Sequence, residues 1–480
     1  MKRLLIIATF CTIFFCSHSQ EVLVKAKVDV RVELVSVVCR LAGYPEYNPS
    51  SAGGAKRGIL EYEKRVDDYF APHKSDSIIL FAQRLRKEYD LAYDAPMKFA
   101  ISLQTLDSGF GFNPYFTQTL ADLDNRWTDQ TAQEYLRLLN SFYKKTDFNT
   151  FFQQQAVFYS QMESGYEGGA MPINIHWFTN FFGQSTNYEY HTILSGLNQG
   201  GSYGPSVITN EGSKVLFSII SPSIFDDNFA IAESDAEYLL SLAVHEFCHT
   251  YANPFIDLCW NGIERNSNKM FRQVSKMMKR SAYGSSKIMM YEVLVRTFVF
   301  KYMNDNGIYS NSNLHRAILD QQRAGFFWVD KIYASIKDYE SFNTESYLPV
   351  FAEVINSQNP KDYRAFLKSE KQNRPSIQIE TSIANGDIAV SPETNKLIVR
   401  FDRKMDTSAH GIADGKGKGV APKIINDYWG EHDTYHEWVL ELELEPNREY
   451  SLSFPLHWFK DYYGFSGKRG RVYLTFKTGV

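Results

Sequence analysis

The sequence predicts an α+β domain followed by a smaller all-β domain, and three observations carry that reading. Apolar residues recur at three- and four-residue spacing from about Val66 to Ser160 and again from Ser234 to about Leu367, the periodicity of amphipathic helices. Between Ile173 and Ile220 the character changes to strand and loop. Beyond the polar run Ser369–Ser376, which reads as a linker, the chain holds short β-rich runs at Ser376–Thr381, Lys396–Phe401, Trp438–Leu444, Tyr450–Phe454 and Arg471–Lys477. Turn residues separate them at spacings that suit a β-sandwich. The expected organisation is a leader over 1–19, an α+β domain over 20–370 and a sandwich over 375–480.

In chain order, Lys2 and Arg3 precede the apolar run Leu4–Phe15, and Ser17 and Ser19 flank His18. A basic start, an apolar stretch and a small-x-small site are the three parts of a secretory signal, with cleavage expected after Ser19. The apolar run is short of the roughly 20 residues that span a bilayer, and no later segment reaches that length. Bulky Phe15 beside Cys16 argues against a lipoprotein, so the expected location is periplasmic, secreted or cell-surface. Val28 to Leu34 alternates apolar with polar residues as a half-buried strand would. Asp124–Phe142 and Phe148–Met162 read as helices. The run Gln199-Gly200-Gly201-Ser202-Tyr203-Gly204-Pro205 reads as a loop, and Val215–Ile220 as a strand. Ser234-Asp235-Ala236-Glu237 has the capping-box pattern that starts a helix, and Pro254 is expected to stop it.

Composition narrows the function. Hydrophobic residues make up 44% of the chain and charged residues 22%, which gives a sizeable core and excludes disordered and low-complexity classes. The formal net charge of −4 argues against nucleic acid as a partner, since phosphate binding calls for a basic surplus or stripe. Outside the leader the cysteines are Cys39, Cys248 and Cys259, too few for a disulfide scaffold.

One motif carries chemistry. His245-Glu246-Phe247-Cys248-His249 is an H-E-x-x-H sequence. Histidines at i and i+4 leave a helix on one face, so both imidazoles reach a single metal ion. Glu246 beside them is placed to take a proton from a water that the ion acidifies. Leu239, Leu240, Leu242, Ala243, Val244 and Phe247 make this helix strongly apolar. The alternative is a helix-packing histidine pair with Glu246 in an internal ion pair. A catalytic zinc site needs a third protein ligand. Ala252 and Phe255 stand where the longer H-E-x-x-H-x-x-G-x-x-H pattern would place Gly and His, so the ligand must come from elsewhere. Glu292 is the only acid in the apolar run Ile288–Phe300, and an isolated carboxylate there is costly unless it meets a cation. Zinc held by His245 and His249 is one such cation; Arg296, one turn on, is the competing partner. Asp257 and Glu264 are the reserves. Cys248 reads as a packed thiol, and His432 and His436 as loop residues.

Weaker assignments surround these. Asn253 and Asp257 either brace the ligand helix, one of them orienting an imidazole, or belong to a turn that ends it. Val215–Ile220 is placed to be an edge strand that pairs with an extended substrate, with Gly200, Gly201 and Tyr203 beside it, although the glycines equally suit a surface loop. Tyr291, Tyr302, His176 and Tyr203 are donors of the right type for an oxyanion.

HEFCHTYANPFID, followed by YEVLVRTFVFKY, resembles the gluzincin branch of zinc metallopeptidases. More narrowly, H-E-F-x-H-x-x-x-N-P-x-x-D over His245–Asp257, with VELVSVVCRLAGYPEYN near the start, resembles an uncharacterised bacterial family of exported zincin-like proteins. The resemblance spans most of 21–370. It implies a zincin-like domain of mixed sheet and active-site helices, zinc on His245, His249 and Glu292, Glu246 as general base, and a peptide or protein substrate. Thermolysin-like enzymes carry an Asp one turn after the ligand Glu, where this chain has Arg296. The segment with SPETN at 391–395, LIVRFDRKM at 397–405 and DYYGFSGKRG resembles bacterial Ig-like domains that follow exported enzymes. The expected activity is therefore an exported zinc metallopeptidase. Its rivals are a zincin fold kept as a non-catalytic binding or scaffold module, and a zinc hydrolase of a non-peptide amide.

Overall fold

The computed structural model describes residues 21–48, 57–183, 188–199, 201–226, 228–231, 235–372, 374–407, 409–430, 436–462 and 464–480. The chain is a mixed α and β protein that divides into two compact units. The first runs up to Ile263 and takes in Met290–Ile308 and Lys331–Val354. The second comprises Glu264–Met289, Tyr309–Asp330 and Ile355–Val480. The expected leader lies outside the described residues, as do Ser234 of the capping box and His432. Among the described residues no helix is long and apolar enough to cross a membrane.

The first unit is built on a four-stranded mixed sheet of β1 (Ala26–Val28), β2 (Glu189–Leu194), β3 (Ser206–Ile208) and β4 (Lys214–Ile220), in the order β1-β2-β4-β3. β1, β2 and β4 are parallel and β3 is antiparallel to β4. β4 is buried along almost its whole length, as expected of a strand covered on both faces. It is paired on both sides, so the edge belongs to β3, extended by a bridge from Tyr203 to Ile219. This corrects the expectation that Val215–Ile220 forms the edge. An apolar run without alternation describes an inner strand, while the short edge carries too few residues to declare itself.

The expected strand Val28–Leu34 is also corrected. β1 ends at Val28, and α1 (Val30–Leu41) begins directly. Asp29 caps it, its carboxylate accepting the Arg31 N–H at 2.8 Å, which satisfies an otherwise orphaned donor. Eight consecutive residues of α1, Val32 to Cys39, are buried. With no solvent face the helix shows no helical period.

Around this sheet lie α2 (Arg57–Phe70), α3 (Ala156–Gly169), α4 (Ile175–Phe182), α5 (Ala236–Arg280) and α6 (Ser286–Asp305). Glu33 of α1 is fully buried; it accepts the Tyr62 hydroxyl of α2 at 2.6 Å and the Gly196 N–H beyond β2 at 2.6 Å. Pro254 does not stop α5, which continues through it to Arg280. Proline inside a helix costs about 3 kcal/mol by removing a hydrogen bond and crowding the preceding turn. Packing offsets that cost within this unit: Phe255 is 2% exposed and meets Phe342, Tyr347 and Phe351 at centroid separations of 5.3, 5.6 and 5.4 Å.

The β-rich segment lies wholly in the second unit. Its strands are β5 (Ile379–Thr381), β6 (Asp387–Val390), β7 (Lys396–Phe401), β8 (Ala413–Asp414), β9 (Lys423–Trp429), β10 (Glu437–Glu443), β11 (Glu449–Pro455) and β12 (Arg471–Thr478). They form two four-stranded sheets, β6-β12-β11-β8 and β9-β10-β7-β5, whose inward residues share one cluster that includes Leu397, Val399, Leu440, Leu452, Phe454 and Leu474. The polar run from Ser369 is helical as far as Gln372 rather than a linker throughout. Cys39, Cys248 and Cys259 are unpaired and buried.

Candidate metal centre

His245, Glu246 and His249 lie about ten residues into α5, and Glu292 projects from α6. The opposite side of the motif anchors the helix: Phe247 packs edge-on against Tyr190 at 5.1 Å, and Tyr251 stacks on Phe182 at 3.8 Å. That leaves the histidine side free to face α6. His245 Nε2 is 3.5 Å from Glu292 Oε2, and His249 Nε2 is 3.6 Å from Glu292 Oε1. The two imidazole centroids are 5.0 Å apart at 80°, and the three donor atoms all lie within 4.8 Å of one another. Ligands on tetrahedral zinc, at bonds near 2.1 Å, stand about 3.4 Å apart. The Glu292–histidine separations match that spacing.

Electrostatics suit the same use. Burial, the largest influence, pushes the His245 imidazole down to about 4, despite the Glu292 carboxylate beside it. His245 is therefore neutral at ordinary pH, with a lone pair to offer. Burial alone would raise the Glu292 carboxyl, but Arg296 and the two histidines outweigh it and hold the group well below the usual carboxylate range. Arg296 donates to the Glu292 carboxylate and, at 3.2 Å, to its main-chain carbonyl. Arg296, the competing partner for Glu292, is thus in place, and the two histidines face the same carboxylate.

Glu246 provides the test of fit. The residue is 4% exposed, and its carboxylate has no hydrogen-bond or ion-pair partner among the described residues. Burial, and then the Glu292 charge, push it well above the usual range. A charged carboxylate so placed is costly without a partner. It is satisfied when a cation or a water held by one sits beside it. The internal ion pair considered for Glu246 is not formed.

His249 Nδ1 lies 3.2 Å from Asn253 Oδ1. With Nδ1–H donating, Nε2 is left bare toward Glu292, the orientation that outer partners of ligand histidines enforce. Asp257 instead accepts the Tyr291 hydroxyl at 2.5 Å, pinning α5 to α6. Neither residue lies in a terminating turn, because the helix continues through both. Asp257 is exposed and stands outside the converging set, and so does Glu264. His176 is exposed on α4, and the Tyr302 hydroxyl accepts the Asn174 N–H at 2.7 Å. Cys248 is fully buried and its thiol is pushed up by burial, as for an inert packed residue.

Gly200 lies outside the described residues. Gly201 accepts from the Asn198 side-chain amide at 2.8 Å, and a Cβ on it would meet nothing closer than the Tyr203 ring at 3.7 Å. Tyr203 is 9% exposed, and its hydroxyl has no partner among the described residues. The glycine with a strict requirement is Gly204, where a Cβ would overlap the carbonyl oxygen of Glu246. The sheet edge therefore lies against the main chain of α5 at the motif itself. Sequence reasoning offers Gln199–Gly204 as backbone that a substrate approaches closely but does not single out Gly204, since one glycine among several in a loop gives no signal of what it touches.

No match is found among curated proteins. Three solved structures align, all of the surface-layer protein SbsC: domains 1–6, the N-terminal part and a longer segment. Each shares 12% identity and a TM-score of 0.16 and covers 50% of this chain. The alignments take in 34%, 58% and 33% of those chains, less than two thirds of each, and at that TM-score the likeness carries no argument about fold or function. The family comparison reaches much further: its model matches residues 24–355, a span that holds His245, Glu246, His249 and Glu292, and the chain belongs to the family described as a domain of unknown function, DUF4932.

Proposed function

We propose that this chain is a zinc-dependent peptidase of the gluzincin type. The observation that carries the reading is the convergence of His245, His249 and Glu292 beside a buried, unpartnered Glu246. A zinc ion held by those three residues would supply the Lewis acidity that makes water nucleophilic near neutral pH. Glu246 takes the proton of the attacking water and passes it to the leaving amine. Asn253 fixes the tautomer of His249, and Arg296 keeps Glu292 ionised. The edge formed by Tyr203 and β3 offers main-chain groups to an extended peptide, in the manner of strand addition. The leader-like opening supports export of the chain, and the paired four-stranded sheets support an Ig-like module after a zincin-like domain.

The test is elemental analysis of the purified chain with two variants. About one zinc per chain is expected, lost in Glu292→Ala. Glu246→Gln should retain zinc while peptide hydrolysis falls by a factor of about 10² to 10⁴. Unchanged hydrolysis in that variant sinks the mechanism. Absence of zinc after reloading would make a non-catalytic binding module the better reading. Hydrolysis of a cell-wall amide but of no peptide would move the substrate class.

A further inference from the structure

A cavity of about 430 Å³ opens on the second unit, lined by His457, Arg469, Gly470, Arg471 and Tyr473. Lys416 lies against one of the lining residues, its ammonium 4.0 Å from the centroid of the Tyr473 ring. Lys416, Arg469 and Arg471 are exposed, and among the described residues none of them pairs with an acid. Elsewhere in the same unit some surface cations find acids, as Lys423 does with Glu443 at 2.6 Å and Arg400 with Glu437 at 2.7 Å. Arg469 and Arg471 both line the hollow, and like charges within a Debye length of about 8 Å repel.

The chain holds them there with its backbone. The Ser451 hydroxyl accepts the Lys416 N–H at 2.9 Å and donates to the Lys416 carbonyl at 2.8 Å. A Cβ on Gly415 would overlap that same hydroxyl, so the loop needs glycine to lie so close. Across the cavity, Leu456 N–H donates to Gly470 O at 3.0 Å, and Gly467 N–H to Phe459 O at 3.0 Å. A Cβ on Gly467 would overlap the Leu456 carbonyl. Arg471 Nη1 donates to Ser453 Oγ at 3.2 Å. These cations sit on a pinned frame rather than on free loops.

We propose that this cavity binds an anionic group carried on a sugar ring, the carboxylate or phosphate of an acidic polysaccharide. The cations supply charge-assisted hydrogen bonds to the anion. The volume falls in the range of about 300–1,000 Å³ that takes an organic ligand rather than a bare ion. Tyr473 in the lining offers aromatic surface to a sugar. A lipid surface is better met by a convex basic and apolar face, and nucleic acid by a basic stripe that a chain of net charge −4 lacks. This site is independent of the metal centre.

The test measures binding of the full chain to polygalacturonate, to a phosphate-bearing mannan and to neutral dextran, at low and at physiological salt. At least one acidic polymer should bind and dextran should not, the preferred polymer separating carboxylate from phosphate. Arg469→Gln combined with Arg471→Gln should weaken binding about tenfold or more with an unchanged melting temperature, and inorganic phosphate should compete. The remote Lys423→Gln should bind as the parent does. The proposal is overturned if no acidic polymer exceeds dextran, if the double variant binds normally, or if Lys423→Gln weakens binding equally. Tighter binding to anionic vesicles or single-stranded DNA, lost in the same double variant, would overturn it in favour of that partner.

Discussion

Asn253 is the residue whose contribution is easiest to isolate, because it touches one of the proposed ligands and is none itself. Its carbonyl oxygen holds Nδ1 of His249. Without that bond the imidazole is free to rotate and to take the other tautomer, which would turn a protonated nitrogen toward Glu292. Asn253→Ala is therefore expected to weaken zinc affinity about 10- to 100-fold, measured by competition with a chelating dye, while Asn253→Asp retains an acceptor and most of the affinity. Equal affinities in parent and Asn253→Ala would assign Asn253 to helix packing alone. The motif residues were legible in the sequence because i, i+4 spacing is a geometric statement about a helix. Glu292 was legible because a lone acid in an apolar run needs a partner. The Asn253 contact was legible only as one of two options, since the helix-stop alternative rested on Pro254.

At the scale of elements, one tight approach in the first unit is between sheet edge and motif helix. Gly204 lies against the Glu246 carbonyl, leaving no room for a side chain. Gly204→Ala must push the strand off the helix. The expected cost is about 1–3 kcal/mol, as for overpacked sites, seen as a lowered melting temperature together with reduced zinc occupancy. A variant with full zinc and parental stability would show that the edge moves independently of the motif. The misread elements share a cause. Proline as a helix stop, alternation as a strand and an apolar run as an edge are all local rules. In α5 the packing of Phe255 overrides the first, in α1 burial on every side erases the helical period, and in β4 pairing on both sides decides the third. The strands β7, β10, β11 and β12 were read within a residue or two, because each sends apolar residues into the core. β6, β8 and β9 were missed: β8 has only two residues, and β6 and β9 are largely exposed, so none carries a hydrophobic pattern to find.

At the scale of the whole molecule, stability should depend on pH through Glu33. Burial, its largest influence, raises this carboxyl from 4.5 to about 7, although the Tyr62 hydroxyl and the Gly196 N–H favour its charged form. The folded state therefore holds a proton that the unfolded chain releases between those values, and folding weakens as pH rises through that window. The expected loss from about pH 5 to pH 7.5 is about 2 kcal/mol, read from denaturant midpoints, and Glu33→Gln should flatten it. A parental slope in that variant would place the pH dependence elsewhere. The three buried cysteines carry a further consequence. With no thiol pair to close or open among the described residues, the fold has no covalent dependence on its redox surroundings. It should reach and keep one structure in a reducing compartment and in an oxidising one, with a melting temperature indifferent to dithiothreitol, and export would ask nothing of an oxidase or a disulfide isomerase.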